Sequence, residues 1–113
     1  MVEVTVLTDS EHRYTGVCMS GHAGLAAPCK VAGQEHVCAA VSALTLNMAN
    51  SVEHFTEDLF EAEEDDESGG FRFHFTASIS SESELLMNSF IFGLLNIEEE
   101  YGEPYIKIRF KEV

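Results

Sequence analysis

Positive charge is what this 113-residue chain has least of: Lys plus Arg number 6 against 20 Asp plus Glu, for a net charge of -14. Such a surface argues against a nucleic-acid phosphate backbone as the direct ligand and favours a basic partner, such as a cationic protein tail. No apolar run approaches the roughly 18–20 residues that a membrane span needs, and the start lacks the charged-then-apolar pattern of a signal sequence. The expected location is therefore the cytoplasm, with no membrane contact. The three cysteines, Cys18, Cys29 and Cys38, are odd in number and show no Cys-x-x-Cys arrangement. That argues against a disulfide scaffold and draws attention to a single reactive thiol. There is no strict internal repeat, and a chain of this length builds one domain, residues 1–113, around one modest core.

What is present is a clear alternation of strand and helix patterns. Val2, Val4 and Val6 alternate with Glu3 and Thr5, a strand with one buried face. Thr8-Asp9-Ser10-Glu11 is rich in turn formers, and residues 13–20 read as the second arm of a hairpin. Residues 21–33, with three glycines, Pro28 and several alanines, read as a loop. From Gln34 the period becomes helical: Val37, Val41, Leu44, Met48, Val52 and Phe55 form one apolar stripe, ending near residue 54 or 55. Leu59 and Phe60 lead into a third strand over 61–67, and Ser68-Gly69-Gly70 marks a hairpin tip. Phe71, Phe73 and Phe75 then alternate with polar residues in a fourth.

Ser81 with Glu84 matches a capping box, and Leu86, Phe90, Leu94, Ile97 and Tyr101 give the stripe of a second helix. Gly102 and Pro104 stop that helix. Ile106, Ile108 and Phe110 alternate with Lys107, Arg109 and Lys111, cations that answer nearby acids. The order ββαββαβ predicts an α+β two-layer sandwich, a mainly antiparallel sheet covered by two helices. One uncovered sheet face makes a homodimer the expected assembly.

Cys38 carries the first chemical reading. A cysteine in or just after the first turn of a helix faces unpaired N–H groups and partial positive charge, which favours the thiolate. His22 ends the second strand, and a loop of this length can return the chain so that strand end and helix start are neighbours. Imidazole and thiol would then form a general-base and nucleophile pair. Ser42 lies one turn after Cys38, and Glu35, three residues before it, can orient a histidine or serve the helix start. Backbone N–H groups at Val37 and Cys38 are candidate oxyanion donors. Other residues carry simpler expectations: His12, His54 and His74 are solvated, and Cys18 is packed within a strand.

Two other classes stay open on these residues. Cys18, His22, Cys29, His36 and Cys38 are metal-capable groups in a short span, but their spacing matches no familiar zinc pattern, so no metal or other cofactor is expected. A non-catalytic binding module that uses its acidic face is the remaining class; the family resemblance described next would make it a ribosome-associated one.

Ser20-Gly21-His22-Ala23-Gly24, followed by Gly33-Gln34-Glu35-His36-Val37-Cys38-Ala39-Ala40-Val41-Ser42, resembles the signature of the ribosomal-processing cysteine proteases, the Prp family. These are small bacterial enzymes that remove an N-terminal extension from a large-subunit ribosomal protein. The resemblance implies His22 as catalytic histidine, Cys38 as nucleophile, and Gly21 and Ser42 as supporting residues. Glu35 stands where the family usually has an aspartate. It also implies a basic ribosomal-protein precursor as substrate. His36 replaces a usual aliphatic residue, and the loop between His22 and Cys38 is a few residues longer than the family pattern.

Overall fold

Three valines with no exposure at all, Val2, Val4 and Val6, line the covered face of the sheet. In the computed structural model, which describes residues 1–21, 33–65 and 70–113, they lie on β1 (Val2–Thr8). The hairpin partner is β2 (Tyr14–Ser20), with Val4 opposite Met19 and Val6 opposite Val17. Helix α1 (Gln34–Phe55) follows, then β3 (Phe60–Asp65), β4 (Gly70–Phe75), helix α2 (Ser81–Tyr101) and β5 (Ile106–Glu112). The sheet order is β3-β4-β2-β1-β5. All pairs are antiparallel except β1 with β5, which runs parallel. The expected ββαββαβ two-layer α+β sandwich is thus what forms.

Register explains why one face is dry. Val17 faces Phe73 and Met19 faces Phe71, so an apolar row continues from β1 across to β4. Met87, Ile91 and Leu94 of α2 and Val37, Val41 and Val52 of α1 close that row into one core. The opposite face carries Thr5, Cys18 and Arg72 in register, with Arg109 and Glu63 outside them. One wet face is ordinary for a largely antiparallel sheet. Because that face is polar, it does not itself require a covering partner.

The helix stripes are wider and shorter than the sequence pattern alone implies. In α1 Cys38 and Thr45 are buried beside Val37, Val41, Met48 and Val52, whereas Phe55 is 71% exposed. In α2 the fully buried positions include Met87 and Ile91, while Tyr101 is exposed. Length supplies the reason: 22 helical residues span about 33 Å, but a strand of 7 residues covers only about 23 Å. The helices outrun the strands, and their last apolar residues, Phe55 and Tyr101, stay exposed, Tyr101 meeting the Tyr105 ring edge-on.

The helix cap also differs from the sequence pattern. Ser80, not Ser81, is the N-cap of α2, its hydroxyl accepting from the Ser83 N–H (3.2 Å). Ser80 wins because Asp58 takes both its amide (2.9 Å) and its hydroxyl (2.6 Å), fixing it from 22 residues away. Ser81 is exposed and bonds only its neighbour Glu82. The third strand is described as far as Asp65; the rest of its expected span and Ser68-Gly69 of the tip lie outside the described residues, and Gly70 opens β4. His12, His54 and His74 are exposed as expected, with His74 3.4 Å from Glu61. Lys107 and Arg109 meet Glu103 and Glu3, both at 3.7 Å. Cys18 is half-buried.

Candidate active site

One end of the sheet brings Gly21 and the start of the Cys38 helix together. There β2 ends at Ser20 and turns through Gly21, β1 begins, β5 begins, and α1 starts above them. Gly21 has φ +67, and a side chain there would run into the Met1 carbonyl. Only glycine combines that backbone conformation with that close approach. The chain therefore leaves β2 tightly against Met1, the residue just before β1. The Val2 N–H in turn bonds the Tyr105 carbonyl just before β5 (2.8 Å).

The same carbonyl anchors the helix. Gln34, the first residue of α1, donates its side-chain Nε2–H to the Tyr105 oxygen at 3.1 Å. The Gln34 nitrogen also lies 3.6 Å from the Cys38 sulfur, one helical turn on. Gly21, Met1, Val2, Tyr105, Gln34 and Cys38 thus form one connected path from the strand end to the helix start. This is the proximity that the loop argument requires. His22 and Cys29 lie outside the described residues.

Cys38 is the fifth residue of α1 and only 5% exposed, facing the core layer. Its own N–H falls within the helical ladder, so the surplus donors of the helix start precede it. One of these, the His36 N–H, is turned to the Gly33 carbonyl at 3.2 Å. That N-cap, Gly33, sits in the left-handed region at φ 90 and offers no side-chain acceptor. The positive end of the helix dipole at Cys38 is consequently not quenched by a capping hydroxyl.

Glu35 and His36 are both exposed and 3.9 Å apart, Glu35 lying in the first turn where a carboxylate complements the dipole. Ser42 is half-buried one turn beyond Cys38. Gln34 and Tyr105 were not among the sequence candidates. Gln34 carried one signal, its i, i+4 spacing to Cys38. Tyr105 acts through its backbone, which no side-chain pattern reveals. Among the described residues, no group of three or more His, Cys, Asp or Glu side chains is placed to hold a metal ion.

A family model described as cysteine protease Prp matches residues 1–107. The chain belongs to the cysteine protease Prp family. Among its relatives is the ribosomal processing cysteine protease Prp of Staphylococcus aureus, 29% identical over 111 residues, covering 98% of this chain and all of the relative. The crystal structure of the essential S. aureus Prp in complex with a substrate peptide superposes with a TM-score of 0.88 at 28% identity, again over 98% of this chain and 100% of that one. A Streptococcus mutans protein, SMU.848, shares the fold at 24% identity and a TM-score of 0.85, covering 100% of this chain and 99% of the other. The Prp match thus extends over the strands and helices that frame Cys38 and is not confined to an isolated motif.

Proposed function

We propose that this Prp-family chain is the endopeptidase that removes the N-terminal extension of a large-subunit ribosomal protein, with Cys38 as nucleophile and His22 as its base. The observation that carries the reading is Cys38 at the start of α1, tied through Gln34 and Tyr105 to the sheet end from which the chain continues into His22. His22 takes the thiol proton, and the sulfur attacks the scissile carbonyl. The imidazolium returns the proton to the departing amine, leaving a thioester, and water then releases the trimmed protein. Gly21 fixes the approach to His22, Ser42 supports the thiol from the next turn, and Glu35 supports the helix start.

Charge supports a basic substrate. A groove bordered by Ser20, Glu63, Glu64, Asp65 and Arg72 opens beside the Ser20–Gly21 turn, and the chain's net charge of -14 adds long-range attraction. The S. aureus relative bears the name of a ribosomal processing protease, and its structures hold substrate and product peptides. The compartment we assign is the cytoplasm, where ribosomal proteins are made and thiols stay reduced. Among the described residues no helix is long and apolar enough to cross a membrane.

The homodimer remains part of the proposal. Leu85 and Phe92, one heptad apart on α2 and largely exposed, suit such a contact better than the polar sheet face does. Sedimentation velocity would decide it, a single monomer boundary at micromolar concentration ruling it out. The central test incubates the parent chain and Cys38→Ala with the ribosomal-protein precursor and reads the new N-terminus by mass spectrometry. Cleavage by the parent and none by the variant is expected; undiminished cleavage by Cys38→Ala would end the proposal.

A further inference from the structure

We infer that Gln34 is a positioning residue for the reaction, presenting a fixed hydrogen-bond donor to the Cys38 sulfur; this rests on Cys38 being the nucleophile. The Gln34 side chain is buried, 5% exposed. The oxygen and nitrogen of a side-chain amide have nearly the same shape, so their neighbours decide which is which. Here the neighbour is a carbonyl. Tyr105 oxygen can only accept, and it is held in place by the Val2 N–H at 2.8 Å. Reversing the amide would press two carbonyl oxygens together at 3.1 Å. The nitrogen therefore faces Tyr105, and its second hydrogen is the one available to sulfur at 3.6 Å.

The orphaned atom strengthens the assignment. Gln34 Oε1 is buried and has no hydrogen-bond partner among the described residues. An unsatisfied buried oxygen opposes folding. A methionine of similar length would fill the same space without it, so packing alone does not call for an amide. What an amide adds is its nitrogen, with two donors for two acceptors. A donor aimed at sulfur favours the anionic nucleophile over the neutral thiol. The anchor on Tyr105 also ties the sulfur to the sheet rather than to a helix end that Gly33 caps without a side-chain bond.

The test uses the intact chain carrying Gln34→Met, which keeps length and removes the donor, and Gln34→Glu, which keeps shape and puts oxygen where nitrogen stood. Iodoacetamide alkylation of Cys38 is followed by peptide mass spectrometry from about pH 5 to 9, the span in which protein thiols titrate, with Cys18 as internal reference. Peptide turnover is measured in parallel. Losing one hydrogen bond to a charged group should slow Cys38 alkylation about tenfold at neutral pH in Gln34→Met. Its kcat should fall by a similar factor with little change in KM. Gln34→Glu should lose more, about a hundredfold, because it adds repulsion to the lost donor. Cys18 should react at the parent rate in both.

A Gln34→Met chain with the parent's alkylation profile and kcat overturns the inference. Should that variant fail to fold, as judged by its urea transition, the same reading of Gln34→Glu decides. Turnover persisting in Cys38→Ala would instead remove the nucleophile assignment, a different failure.

Discussion

Alanine at Gly21 and alanine at Gly33 should each destabilise the chain, for different reasons that can be told apart. Both glycines have positive φ, +67 and +90. At Gly33 a built Cβ meets the Tyr105 hydroxyl at 3.5 Å, an ordinary contact. The cost there is conformational alone, about 1–2 kcal/mol for an L-residue in the left-handed region. Asparagine tolerates that region, so Gly33→Asn should recover about half of the loss or more. At Gly21 the Cβ collides with the Met1 carbonyl, which is backbone and cannot rotate away. The start of β1 must shift, and with it the Val2 bond to Tyr105. Gly21→Ala should therefore cost more than about 2 kcal/mol, and Gly21→Asn should give no relief.

Urea denaturation followed by circular dichroism reads all four variants. With slopes of about 1–3 kcal/mol per molar, the Gly33→Ala midpoint should fall by about 0.5–1 M and the Gly21→Ala midpoint by about 1 M or more. Peptide turnover under folding conditions should drop most at Gly21, whose displacement carries the strand end leading to His22. A Gly21→Asn chain as stable as the parent, or a Gly21→Ala chain no weaker than Gly33→Ala, would refute the close-approach argument.

Two further outcomes follow from the junction between α1 and α2. Ser80→Ala removes the helix cap and the hydroxyl's bond to Asp58 while keeping the amide's, so it should cost about 1–2 kcal/mol. Ser81→Ala should stay within about 0.5 kcal/mol of the parent in the same thermal melts. Asp58 sets a pH dependence. The hydroxyls of Ser80 and Ser83, with the Ser80 amide, hold its carboxyl below the ordinary value of 3.8. A lowered acid group stabilises the fold fully above that value and loses its contribution as pH falls toward its folded titration point. The stability gap between the parent and Asp58→Asn should accordingly be constant near neutrality and narrow below about pH 4, a trend that urea midpoints taken across acid pH would expose.

Most of the architecture was legible because its signals are local. The alternation in Val2, Val4 and Val6 or in Phe71 and Phe73 needs one buried face and nothing more. What escaped is set by contacts between distant elements. That β5 pairs with β1 in parallel depends on where α2 returns the chain. The choice between Ser80 and Ser81 is decided by Asp58, which no window around the helix start contains. The exposure of Phe55 and Tyr101 comes from the length of the sheet, a property of the assembly and not of either helix.

The site divides along the same line, and the division bears on how the thiol is served. Sequence put Cys38 at a helix start and gave Glu35 the orienting of a histidine or the helix start. The structure leaves Glu35 exposed beside His36 and brings the neutral Gln34 to the sulfur, using a carbonyl 71 residues further along the chain. Electrostatics favours that arrangement. A chain of net charge -14 makes one more anion costly, and a carboxylate aimed at the sulfur would add to the cost at close range. Distant acids are largely screened beyond about 10 Å, so the donors within touching distance decide whether a thiolate forms. The amide of Gln34 is such a donor. The acids Glu63, Glu64 and Asp65 can then meet the basic substrate proposed above without opposing the proposed nucleophile.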